Sequence, residues 1–205
     1  MAEIILYSNK LSRGRAVHWL LEELALDYEV VWLDFGQPMK QAAYLAINPM
    51  GKVPALKHGQ AVVTETAAIL TYLADTFSDQ GLIPAAGTPA RAAFYRWMFF
   101  IAGPLEAATT AEFLNWQAPE KTPLGTPCQA FLGFGSLTLT LDTLESHLRQ
   151  QAYVCGDQFT AADVYLATHL AFGLRYTKAY PPRAVFDEYL NRLLQRPAKL
   201  RADVL

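Results

Sequence analysis

Two neighbouring segments, Asn48-Pro-Met-Gly-Lys-Val-Pro-Ala-Leu56 and Val62-Val-Thr-Glu-Thr-Ala-Ala-Ile-Leu70, decide how the first half of the chain is read. In the first, Pro54 stands directly before a short apolar run. A proline has no N–H to give a central ladder, so it marks a strand start, an edge or a bend. In the second, a β-branched run ends at Thr64, and Glu65 and Thr66 stand at the mouth of a helix whose apolar Ile69, Leu73 and Phe77 recur every fourth residue. Free amides at such a mouth bind carboxylates readily. Alone, each segment reads equally well as a loop-breaking proline or a pair of helix caps. Together they read as a site for a small anionic ligand.

Outward from this pair, residues 3–7 read as a first strand, residues 15–26 as a helix with Val17, Leu20, Leu21 and Leu24 on one side, and residues 28–33 as a second strand. A β-α-β unit of this length implies parallel strands joined by a right-handed crossover. After a variable stretch over 34–47, strands near 55–57 and 61–63 flank the turn His58-Gly59-Gln60 and make a hairpin, and a helix over about 66–77 follows. The order β-α-β-(α)-β-β-α is that of a thioredoxin-like domain. We assign it to residues 1–78, with a turn-rich linker over 79–89 and an all-helical second domain over 90–205. In that second domain Leu137, Leu141, Leu144 and Leu148 share one helical face, and Thr160-Ala-Ala-Asp163 has the form of a capping box opening another helix.

The composition, 52% apolar and 18% charged over 205 residues, is that of an ordinary folded protein with room for two cores. No apolar stretch reaches the roughly 20 residues that span a bilayer, so no membrane partner is expected. The start of the chain lacks a signal-peptide pattern, so a cytoplasmic location is expected. Net charge is −2, with Lys and Arg scattered, which argues against nucleic acid. Cys128 and Cys155 form no C-x-x-C pair and are expected to be inert, buried thiols. His18, His58, His147 and His169 have no ligand-spaced partners, so no metal is expected.

Lys-Val-Pro, a gap of about ten residues, and then Glu-Thr-x-x-Ile-Leu resembles the glutathione-binding half of the soluble glutathione S-transferases, where Val-Pro is followed by Glu-Ser. Thr66 replaces the commoner serine and keeps its hydroxyl. Gly-Asp-Gln-Phe-Thr-Ala-Ala-Asp-Val, residues 156–164, resembles the capping box and hydrophobic staple of the same family's C-terminal domain, so the resemblance spans essentially the whole chain. It implies a cis Pro54, Val53 pairing backbone to backbone with the cysteinyl part of glutathione, and Glu65 and Thr66 holding the γ-glutamyl end. A carboxylate suits the ammonium there, and a hydroxyl with mouth amides suits the carboxylate. Lys52 and Lys40 are candidates for the glycyl carboxylate, although either also reads as solvated surface.

The chemistry needs the glutathione thiol as thiolate. Lowering a thiol pKa by about two units takes roughly 2.7 kcal/mol. One hydrogen bond to a charged group supplies about 1.5–3 kcal/mol, and a helix N-terminus roughly 0.3–1 more. Tyr7-Ser-Asn-Lys-Leu-Ser12-Arg-Gly-Arg15 offers such a place. Ser12 precedes the first helix, and Ser12-x-x-Arg15 resembles the serine-type, bacterial branches in which the serine hydroxyl donates to sulfur; as the plainer alternative, Ser12 only caps the helix. Tyr7 is the rival, as in tyrosine-type members, but it stands further from Arg13 than in that pattern. Asn9 is a polar alternative placed one layer further from the sulfur. Cysteine-bearing members form mixed disulfides, and this loop has no cysteine.

The resemblance therefore implies a transferase that adds glutathione, as co-substrate, to small apolar electrophiles. The alternatives are a glutathione-dependent disulfide or peroxide reductase without a protein cysteine, and a non-catalytic binding or scaffold protein. It also implies a homodimer. Phe94, Trp97, Phe100, Phe113 and Trp116 read either as walls of an apolar second-substrate pocket or as core.

Overall fold

The computed structural model describes residues 3–204. The chain divides into two compact units: one holds the residues up to Ile83 and those from Leu194 onward, and the other is Pro84–Leu193.

The first unit runs β1 (Ile4–Ser8), α1 (Gly14–Glu23), β2 (Tyr28–Trp32), a 3-10 turn (Gln37–Lys40), α2 (Ala42–Leu45), β3 (Ala55–His58), β4 (Ala61–Thr64) and α3 (Thr66–Thr76). The sheet order is β2-β1-β3-β4. β1 and β2 are parallel, as the intervening helix requires, and β3 is antiparallel to both β1 and β4. Ile4, Leu6 and Ser8 alternate onto the buried face of β1. Leu6, Val17, Leu20, Leu21, Leu56, Ile69, Leu70 and Leu73 are fully enclosed, and each such side chain contributes about 1.5–3 kcal/mol of burial. The hairpin is tighter than its sequence suggests. His58 pairs with Ala61, which leaves Gly59 and Gln60 as the turn, with Gly59 at φ +57°.

Register brings the chain's important ends together. Tyr7 lies opposite Ala55, and Ala55 lies opposite Thr64. The end of β1, the start of β3 and the end of β4 therefore line up along one edge of the sheet. The loop after β1, the Val53–Pro54 step before β3 and the Glu65–Thr66 step after β4 all issue from that edge.

The second unit begins with α4 (Pro89–Phe100), which passes through a π turn (Ile101–Leu105) into α5 (Glu106–Phe113). The turn contains Pro104, whose missing N–H an ordinary helical turn would need; the wider turn lets the helix continue. After a largely irregular segment come α6 (Leu137–Leu148), α7 (Ala161–Ala171), a second π turn (Phe172–Tyr176) and α8 (Ala184–Leu193). The core of this unit includes Phe94, Trp97, Leu105, Leu144, Val164, Leu166, Leu170, Phe186 and Leu190. The two π turns share a buried polar knot. The Thr109 hydroxyl bonds the Leu105 carbonyl at 2.6 Å, His169 Nε2 at 3.0 Å, and the Tyr180 hydroxyl. A Cβ at Gly173 would lie 2.2 Å from the Tyr180 ring, so only glycine lets that ring approach.

The helical region read as 90–205 gives up its last helix, α9 (Pro197–Val204), to the first unit. The reason is ionic and local to α1. Arg196 grips Glu23 at 2.6 and 2.8 Å, Arg201 meets Glu22 at 2.7 Å, Arg15 meets Asp203 at 2.9 Å, and the Lys199 ammonium lies 5.7 Å from the Trp19 ring centroid. Burial would raise the Glu22 carboxyl, but hydrogen bonds from Tyr28 and Arg201 outweigh it and hold that group below its ordinary 4.5. Among the described residues no helix is long and apolar enough to cross a membrane.

Candidate functional site

The loop after β1 is built by Asn9. Its side-chain amide donates to the Leu33 carbonyl at 2.8 Å, its Oδ1 accepts from the Leu11 amide at 2.9 Å, and its own carbonyl accepts from both the Ser12 amide, at 3.0 Å, and the Ser12 hydroxyl, at 2.8 Å. Asn9 therefore shapes the loop, with its side chain committed to backbone. Ser12 Oγ also accepts from the Gly14 amide at 3.0 Å, so the half-buried hydroxyl sits at the start of α1. Gly14 is required there: a Cβ would lie 2.0 Å from Ser8 Oγ and 3.0 Å from Ser12 Oγ. Tyr7, on the other face of β1, packs with Leu33, Ile47 and Val53 against a cluster of Met39, Tyr44 and Ala55, its ring 5.7 Å from that of Tyr44.

The Val53–Pro54 peptide is cis. Its approach is fixed by residues that sequence reading passed over. The Tyr44 hydroxyl and the Asn48 amide both donate to the Lys52 carbonyl, at 2.5 and 2.8 Å, and Asn48 Oδ1 accepts from the Met50 amide at 3.0 Å. Burial pushes the Tyr44 phenol up to about 12, which keeps it a donor at neutral pH. Asn48 carried a signal, since Asn before Pro favours turn initiation; Tyr44 carried none. Lys40 donates to the Met50 and Gly51 carbonyls at 2.9 and 3.1 Å, leaving one of its three N–H groups for another acceptor. Gly51, at φ +58°, cannot be replaced cheaply, because a Cβ would meet the Met39 carbonyl at 2.6 Å. Lys52 is exposed.

At the third segment, Glu65 is exposed and sits at φ +69°, ψ +122° directly before α3, with no side-chain bond to the helix mouth. A side-chain-bearing residue held in that region costs of order 1–3 kcal/mol. Thr66 is 8% exposed. Among the described residues no hydrogen bond uses the Glu65 carboxylate or the Thr66 hydroxyl. The mouth of α3 is therefore open, polar and strained, a form suited to a ligand with a carboxylate and an ammonium.

Of the remaining expectations, Phe94 and Trp97 are core, Phe100 is half-buried, and Phe113 and Trp116 are exposed. Cys128 and Cys155 are half-buried rather than buried, because Cys128 lies in a surface turn and Cys155 borders the start of α7. Burial still pushes the Cys155 thiol up to about 12. No group of three metal-ligating side chains comes together among the described residues.

Comparison with known proteins gives this geometry its family. The family described as glutathione S-transferase, N-terminal domain, matches residues 2–75, and its C-terminal domain matches residues 129–201. The chain is 32% identical over 192 residues to glutathione S-transferase 3 of Zea mays, covering 89% of this chain and 82% of that protein. A glutathione transferase from Methylococcus capsulatus superposes with a TM-score of 0.79 at 32% identity, covering 98% of this chain and 97% of that one. A theta class glutathione S-transferase from Xanthomonas axonopodis pv. citri, with glutathione bound, superposes at 0.80 with 26% identity over 100% and 99%. On both its domains and nearly its full length, this chain belongs to the soluble glutathione S-transferase family.

Proposed function

We propose that the first unit binds glutathione and ionises its thiol beside Ser12, as in serine-type members, for addition to small apolar electrophiles. The observation that carries this reading is the mouth of α3: an acid and a hydroxyl without internal partners, held in a strained backbone on the same sheet edge as Val53, cis Pro54 and the Ser12 loop. Glu65 takes the γ-glutamyl ammonium, and Thr66 with the mouth amides takes its carboxylate. Val53 pairs with the cysteinyl backbone, and Lys52 and the spare N–H of Lys40 serve the glycyl carboxylate. The protein acts in the cytoplasm as a homodimer, as is usual in this family.

The Ser12 hydroxyl lowers the thiol pKa less than a free donor would. Its proton is engaged with the Asn9 carbonyl, so turning to sulfur exchanges a neutral bond of about 0.5–1.5 kcal/mol for a charged one of about 1.5–3 kcal/mol. With roughly 0.3–1 kcal/mol from the start of α1, the gain is about 1.5–2.5 kcal/mol, or one to two pKa units. Bound glutathione should thus titrate about one to two units below a free thiol, near 6.5–7.5. Ser12→Ala should raise that pKa by about one unit and slow conjugation at pH 7 about three- to eightfold, the fall in thiolate fraction, the helix amides remaining. Thiolate absorbance and conjugation rate against pH measure both, and an unchanged profile would remove Ser12 from the chemistry.

A further inference from the structure

The segment joining α5 to α6 borders open clefts that the glutathione reading does not use. A cavity of about 460 Å³ is lined by Glu112, Trp116, Pro119, Glu120, Leu132 and Phe134 among others. A second, of about 650 Å³, shares Trp116 and Phe134 and adds Thr110, Leu114 and Asn115. Both volumes fall within the roughly 300–1,000 Å³ of small-molecule sites. Backbone bonds set the walls. Trp116 is placed by its amide donating to the Ala111 carbonyl at 2.8 Å, after Asn115 at φ +50°, and Glu120 by its carbonyl accepting from the Cys128 amide at 3.1 Å.

The charge in this space has one sign. Among the described residues, Glu112 and Glu120 are the only ionisable side chains lining either cavity, and Lys121 is the only Lys or Arg in the sequence between residues 106 and 137. The positive end of α6 in the wall is partly satisfied by Ser136, whose Oγ accepts from the Leu139 amide at 3.1 Å. Carboxylates beside an indole and a phenyl ring favour a cation, which gains from the charges and from the ring faces.

We propose that the first of these cavities binds a small apolar ammonium compound, its charged head toward Glu112 and Glu120 and its hydrocarbon body against Trp116 and Phe134. The site lies wholly in the helical unit and does not depend on the glutathione reading. Phenylbutylamine, phenylbutanol and phenylbutyrate share one body with a cationic, neutral or anionic head. Calorimetry on the full chain should rank the amine about tenfold tighter than the alcohol, equivalent to about 1.4 kcal/mol, with the carboxylate weakest. Glu112→Gln with Glu120→Gln should bring the amine to the alcohol's affinity and leave the alcohol unchanged. Glu120→Lys, on an exposed turn, should do the same if the double variant misfolds. Amine binding should quench a fluorescence component that Trp116→Phe removes. Equal binding of amine and alcohol, a preference surviving loss of both carboxylates, or quenching that persists in Trp116→Phe would each overturn the proposal.

Discussion

Two helices in this chain begin beside a threonine and an acid, and the two beginnings are built in opposite ways. At α7 the acid, Asp163, is fully buried and its oxygens accept four hydrogen bonds: from the Val154 amide at 2.8 Å, the Tyr189 hydroxyl at 2.7 Å, and the Thr160 amide and hydroxyl at 2.8 and 2.9 Å. Burial pushes its carboxyl up against the pull of those bonds. At α3 the acid, Glu65, faces solvent from a strained backbone and bonds nothing in the helix mouth. The same residue types thus close one mouth for the fold and leave the other open. The difference lies in what is nearby: Asp163 has donors converging from α8 and the preceding turn, whereas Glu65 has only the sheet edge from which the Ser12 and Val53 loops issue.

Substitutions can break or sharpen this contrast. The largest effect is expected from Asp163→Ala, which leaves two amides and two hydroxyls without their acceptor and should cost about 4 kcal/mol in urea unfolding. The same truncation at the open mouth, Glu65→Ala, should leave stability within about 0.5 kcal/mol. Its effect should appear in binding, as a rise of about tenfold in the glutathione Kd by calorimetry, the loss of one charge-assisted bond. If Glu65→Ala unfolded the protein as readily as Asp163→Ala, the two mouths would not differ and the ligand role of α3 would fail. The smallest effect sharpens the point: Glu65→Gly relieves the positive φ and should raise stability by about 0.5–1 kcal/mol while binding glutathione as poorly as Glu65→Ala.

Much of the fold was legible because it is written in local patterns. The parallel β1/β2 pair follows from two short apolar runs around an amphipathic helix, and α6 follows from the leucine steps of which Leu141, Leu144 and Leu148 are buried. The capping box of α7 was readable from Thr160 and Asp163 alone, although the Tyr189 and Val154 bonds that complete it were not. What stayed hidden is non-local. Nothing in residues 197–204 says that Arg201 meets Glu22 and Asp203 meets Arg15, since a short helix carrying Lys199, Arg201 and Asp203 reads as solvated surface until its partner is known. The bond from Tyr44 to the Lys52 carbonyl has no signature, because its acceptor is backbone. The strain at Glu65 was also invisible, since propensity argues against a glutamate at positive φ.

The return of α9 to α1 sets the order in which the protein can be completed during synthesis. The residues of α1 leave the ribosome well before those of α9, so Glu22 and Glu23 are without their arginine partners, and Trp19 without the Lys199 ammonium beside it, until Arg196–Asp203 has emerged. The first unit is therefore begun before the helical unit and finished after it, and its α1, which follows the Ser12 turn, is locked only once the helical unit has been made.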